Sequence, residues 1–140
     1  MIDQYLDIKS IDPAYWGKCG WIFLNSIALT FKPEYKEKYK LFIEQLPYIL
    51  PCRTCGLNLI KNIDQLDNAL ESKQLFLEWL LKIRNDIYIE QNRPTKTLKD
   101  NINEIFSVKY SYTTELHTII VTTLSVILLI VLIFLFKKNH

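Results

Sequence analysis

Two of the three cysteines stand in Pro51-Cys52-Arg53-Thr54-Cys55, the part of the chain whose residue types can do chemistry. On a helix this spacing sets the two side chains about one turn apart, so the sulfurs can join and part with little backbone movement. A helix N-terminus opened by Pro51 contributes positive potential and Arg53 adds a cation, and both favour a thiolate. Cys52 is therefore expected to be the exposed, acidified cysteine of a redox-active pair.

Other uses of the spacing fit less well. A zinc site needs four ligands, and the remaining candidates are Cys19, on an apolar segment, and His117 and His140, which flank a long hydrophobic run. No metal is expected. A thioredoxin-like arrangement wants a strand before the motif, and none is legible there. A purely structural disulfide would close so small a loop that it would constrain little of the unfolded chain. Cys19 is expected to be a buried, inert thiol, with an intersubunit bond as the alternative.

The elements that position the pair read as helices joined by short breaks, without alternating strand patterns or hairpin signals. An all-α domain follows. The first helix begins near Pro13 and presents Trp16, Gly20, Phe23, Leu24, Ile27, Ala28 and Phe31 at steps of three and four before Pro33. The second runs from about Glu34 towards Leu50, with Tyr35, Tyr39, Phe42, Ile43 and Leu46 on one face and Pro47 expected to kink or shorten it. A short third helix from Pro51 holds the cysteine pair in its first turn. A fourth, from about Ser72 to Gln91, carries Leu75, Phe76, Trp79, Leu80, Ile83 and Ile87, and Pro94 closes it. A shorter fifth spans Thr97 to Phe106.

Residues 118–136 contain no charged side chain and are numerous enough to cross a bilayer as one helix, reached through a connector at 107–117. The first eleven residues lack the basic start and apolar core of a secretory signal. A tail-anchored protein with a cytosolic domain is the simplest expectation, in a virion or endoplasmic reticulum membrane. Lys137 and Lys138, in the basic tail 137–140, pull the other way under the positive-inside tendency, and they also stand where a dilysine retrieval signal, which works only on a cytosolic tail, would. Orientation stays open. Without those two lysines, acidic and basic residues balance, so nucleic acid is not an expected partner.

The segment Trp16-Gly17-Lys18-Cys19-Gly20-Trp21-Ile22-Phe23-Leu24-Asn25-Ser26-Ile27-Ala28, the Pro-Cys-x-x-Cys pair, and the run from Trp79 to Pro94 occur in the order and spacing of a known family. Over residues 12–106 the chain resembles the Erv/ALR FAD-linked sulfhydryl oxidases, particularly the short members of large DNA viruses. Asn25 stands where that family commonly has a flavin-contacting His. Arg84 and Tyr88 replace the outer residues of its His-Asn-x-Val-Asn, Asn85 is retained, and Arg93-Pro94 stands near its Lys-Pro.

The resemblance implies a four-helix bundle with a short fifth helix, usually dimeric, with FAD beside the cysteine pair. It implies Trp16, Gly17, Trp21, Asn25, Trp79, Arg84, Asn85, Tyr88 and Arg93 as cofactor contacts. It also implies a reaction in which a substrate thiolate attacks Cys52 while Cys55, nearer the flavin, passes electrons on to oxygen with release of hydrogen peroxide. Substrates would be dithiol proteins or a redox carrier. The alternatives are a membrane-anchored bundle that has lost its flavin and serves as an interaction scaffold, and a flavin-free dithiol carrier.

Overall fold

In the computed structural model, residues 8–138 are described, with side chains at 8–107 and 116–130. The described residues are all-α, in two compact units, Met1–Ile105 and Phe106–His140.

Helix α1 spans Pro13–Leu29; Asp12 caps it by accepting the Ala14 N–H at 2.8 Å, and Pro13 needs no partner for the N–H it lacks. A 3-10 turn at Pro33–Tyr35 leads into α2, Lys36–Ile49. Pro47 lies inside α2 without shortening it, since the helix ends only two residues later, where the chain turns extended at Leu50. Helix α3 is Arg53–Ile60. The next stretch folds into pieces that sequence periodicity did not suggest, a 3-10 turn at Ile63–Gln65 and the single turn α4, Leu66–Ala69. Helix α5, Lys73–Glu90, is capped by Ser72, whose hydroxyl accepts the Leu75 N–H at 3.1 Å. Helix α6 is Leu98–Lys138, so the segment expected as a connector lies within a helix.

In the first unit α1 and α4 pack on α5, and α2 packs on α3. Phe76 on α5 is fully buried and touches Phe31 at 5.8 Å, Tyr39 at 6.3 Å and Trp79 at 6.2 Å between ring centroids. Around this aromatic centre lie Ala28, Ile43, Leu46, Leu59, Leu66, Leu70, Leu80 and Ile83. Most faces read from periodicity point inward, but Phe23 is 57% exposed and Tyr35 53%.

In the second unit, Ile119 to Ile130 present mostly exposed apolar side chains along the helix. Among the described residues no helix is long and apolar enough to cross a membrane. The side chains of 131–136, within the expected span, lie outside the described residues, as do residues 139–140 of the tail and 1–7 of the N-terminal segment.

One contact fixes where α3 begins. The carbonyl of Pro47 is denied its usual helical partner four residues on, because that residue is Pro51, which has no N–H. Gly56 of α3 packs against this carbonyl so closely that a Cβ there would overlap the oxygen. Gly56→Ala must therefore push α3 away from α2. We expect it to lower stability by about 1–3 kcal/mol, read as a fall in thermal midpoint; an unchanged midpoint would contradict this packing.

Candidate active site

The cysteine pair sits where extended chain becomes helix. Cys52 is the N-cap of α3, with φ −147° and ψ 110°, and Cys55 lies in the first turn. The two are joined as a disulfide with Cα atoms 5.3 Å apart. Cys52 Sγ accepts the Cys55 N–H at 3.2 Å and lies 3.2 Å from the Thr54 hydroxyl, which must donate because a disulfide sulfur carries no hydrogen. On reduction these donors, at the positive end of α3, would remain to stabilise a thiolate on Cys52.

Two expectations about the cysteines are corrected. Cys52 does not lie within the first helical turn and is not exposed; its residual exposure is 4%. Capping turns its side chain inward across the helix start, and Cys55 is the more accessible of the pair. Cys19, expected to be buried, is exposed on α1. Apolar residues surround it in sequence, but the face of α1 that packs on α5 is the one carrying Asn25 and Ala28.

Cys55 opens onto a cavity of about 830 Å³ walled by α1, α3, α5 and the chain that follows α5. This falls within the range of about 300–1,000 Å³ usual for small-molecule sites. Trp16, Gly17, Trp21, Arg84, Tyr88 and Arg93 line it. A shallower cleft of about 450 Å³ between Asn58, Lys61, Lys82 and Glu90 has neither cysteine nor aromatic lining and carries no comparable chemistry.

One wall is an alternation of rings and cations. The Arg84 guanidinium lies 5.6 Å from the Trp21 ring and 5.3 Å from that of Tyr88, and Arg93 lies 4.1 Å from the other contact of the stack, the Tyr88 ring. Arg93 owes its place to the end of α5. Asn92 adopts the left-handed conformation at φ 53°, letting its N–H reach the Ile89 carbonyl at 3.0 Å and the Arg93 N–H reach that of Tyr88 at 2.8 Å. That closure folds Arg93 back over Tyr88.

Arg84 is 2% exposed, and a charge so buried must be paired. It donates to Asn101 Oδ1 at 2.7 Å, Glu104 Oε2 at 2.8 Å and the Tyr88 hydroxyl at 3.0 Å. Lys96 Nζ approaches the other Glu104 oxygen at 2.6 Å. Burial works against ionisation of Glu104, but hydrogen bonds from Arg84 and Lys96 outweigh it and hold the carboxyl below the usual glutamate range.

Three of the residues singled out by the resemblance do not line the cavity. Trp79 is core, its indole N–H donating to the Asn62 carbonyl at 3.2 Å. Asn85 grips the backbone of Lys96, donating to its carbonyl at 2.9 Å and accepting its N–H at 2.8 Å, so it shapes the segment beyond α5. Asn25 is 1% exposed and donates to the Trp21 carbonyl at 2.8 Å, while its buried Oδ1 has no hydrogen-bond partner among the described residues. Sequence reasoning passed over Thr54, Lys96, Asn101 and Glu104. The only prior signal for the last two was the lone Arg84 on an otherwise apolar face, which demanded an acid.

Together these features set a disulfide at the edge of an aromatic, cation-bearing cavity. The chain is similar to a probable FAD-linked sulfhydryl oxidase of Acanthamoeba polyphaga mimivirus, 26% identical over 102 residues covering 68% of this chain and 71% of the relative. It is also similar to a putative FAD-linked sulfhydryl oxidase of Invertebrate iridescent virus 6, 26% identical over 98 residues (62% and 88%). A third relative, a putative FAD-linked sulfhydryl oxidase of Invertebrate iridescent virus 3, is 25% identical over 96 residues (64% and 65%). No family model matches. The resemblance to short viral sulfhydryl oxidases read from the motifs is thus met again over most of the chain.

The Arg84–Glu104 pair gives a pH prediction. Because the folded-state pKa of Glu104 is lowered, its contribution is complete above the ordinary glutamate value and disappears as pH falls through the lowered one. Glu104→Gln should cost about 1–2 kcal/mol at pH 7, the lower part of the range for a hydrogen bond to a charged group because the carboxylate is partly solvated. The gap from the unaltered chain should close on acidification in denaturant titrations. A gap independent of pH would contradict the pairing.

Proposed function

We propose that the chain is an FAD-dependent thiol oxidase that forms disulfide bonds in dithiol proteins or in a redox carrier. The observation that carries this reading is the opening of Cys55 directly onto the ring-and-cation cavity. The residues present fit the cofactor: Trp16 and Trp21 offer flat faces for its ring systems, Tyr88 holds the Arg84 and Arg93 guanidiniums in the wall, Gly17 leaves the wall open, and Arg93 and Lys18 offer positive charge to its diphosphate. Arg84 is held by its own partners and supports this wall. Asn25, Trp79 and Asn85 act from behind it.

In the reaction a substrate thiolate attacks Cys52 Sγ, the Cys52–Cys55 bond breaks, and Cys55 leaves as a thiolate facing the cavity. A second substrate thiol then displaces Cys52, completing the substrate's disulfide. As the Cys52–Cys55 disulfide re-forms, FAD, when bound, would supply the acceptor for the electron pair released, and molecular oxygen would take that pair with two protons as hydrogen peroxide. Cys52→Ser and Cys55→Ser should each abolish oxygen consumption with dithiothreitol while helicity is kept, and Cys19→Ser should retain most of it. Full activity in either active-pair variant would sink the assignment.

We also propose that residues 118–136 anchor the chain in a membrane, in a virion or the endoplasmic reticulum, with the catalytic unit cytosolic. The support is a run free of charge. A homodimer through the exposed α1 stripe of Tyr15, Cys19 and Phe23 completes the proposal. The full chain should stay in the membrane pellet after alkaline carbonate extraction, and light scattering in detergent should give twice the chain mass. Release into the supernatant, or a monomer mass, would remove the corresponding part.

A further inference from the structure

Cys52 is 4% exposed although Pro51, Arg53 and Thr54 around it are all exposed. A thiolate that attacks this sulfur must approach along the line of the disulfide, from the side away from Cys55. The residue just before Cys52 is where the N-terminal segment is fastened. The Ile11 N–H donates to the Pro51 carbonyl at 2.7 Å, and the Ser10 hydroxyl donates to the same oxygen at 3.2 Å. The Ile11 carbonyl in turn accepts the indole N–H of Trp16 at 3.1 Å, and Asp12 then caps α1.

Among the described residues little else holds the segment. Ser10, Ile11 and Asp12 are exposed, and Ile8 and Ile11 keep 52% and 45% of their surface in water. Fastening by a few solvent-accessible hydrogen bonds, each modest in net value, is fastening that can be undone. Beneath it Leu50 and Cys52 are extended, at φ −60°, ψ 136° and φ −147°, ψ 110°. An extended backbone with a carbonyl already accepting from another chain segment is an edge on which a substrate polypeptide can lie.

We propose that Ser10–Ile11 is a releasable strap over Cys52, and that a cysteine-bearing polypeptide in extended conformation displaces it and takes over the Pro51 carbonyl. The inference rests on the reading of Cys52 as the sulfur attacked. The substrate thiolate forms a bond to Cys52 Sγ, the Cys52–Cys55 bond breaks, and the electron pair leaves on Cys55; the substrate cysteine is oxidised to the mixed disulfide and Cys55 is reduced. The oxidant in this half-reaction is the protein's own disulfide.

The test measures how fast the Cys52–Cys55 disulfide of the full chain is opened, without oxygen, by a reduced, unfolded cysteine-containing protein, with newly freed thiols trapped by alkylation and counted by mass. Deleting residues 2–11 removes both donors to the Pro51 carbonyl, Ser10 and Ile11, and leaves Asp12 in place to cap α1. Opening should accelerate about tenfold, the scale expected from losing one to two hydrogen bonds of ordinary net strength. Ser10→Ala, a surface change that cannot disturb the core, should accelerate it about threefold. Rates in both variants equal to that of the unaltered chain would overturn the strap. Because the readout is alkylation, it is independent of flavin: a colourless protein would defeat the oxidase reading while these rates still judge the strap.

Discussion

A buried guanidinium organises the cavity. Desolvating Arg84 is costly unless its donors are met, and the chain meets them from three directions: Tyr88 one turn along α5, Asn101 and Glu104 from the start of α6, and the face of Trp21 on α1. Satisfying this one charge therefore fixes how α1, α5 and the first turns of α6 meet. The same contacts leave a wall of alternating rings and cations along the space onto which Cys55 opens. Lys96, whose backbone the Asn85 side chain holds, sets a second cation on Glu104.

The redox end depends on backbone rather than on charge. Pro51, with no N–H to give, leaves the Pro47 carbonyl at the end of α2 without its helical partner, and Gly56, having no Cβ to collide with that oxygen, brings α3 against it. That contact seats the start of α3, and with it Cys52 as the N-cap and Cys55 in the first turn. Separate devices thus build the cavity and the disulfide. They meet at Cys55, so that in the proposed reaction substrate would arrive at Cys52 and electrons would leave through Cys55.

Much of this was legible in the sequence because it is local. Prolines at 13, 33 and 51 mark helix boundaries, helical spacing exposes the buried face of α5 from Phe76 to Ile83, and the cysteine pair announces its chemistry by type and spacing. What was not legible comes from distance in sequence. The burial of Cys52 accompanies bonds from residues about forty positions earlier, and Arg84 finds its acid twenty residues later. On α1 nearly every position between Trp16 and Ala28 is apolar or small, so periodicity could not tell that Cys19 and Phe23 face outward. The resemblance matched positions, and positions alone do not separate side chains that line a cavity, such as Trp21, from those that brace it, such as Asn85.

The central claim, that Cys55 is in electronic contact with a flavin in this cavity, is tested most directly by the visible absorption spectrum of the purified full chain during anaerobic titration with dithiothreitol. The expected result is a flavin band that bleaches as the disulfide is reduced and returns on admission of air, with no bleaching in Cys55→Ser. A folded, colourless protein that takes up no FAD from excess cofactor would contradict the account.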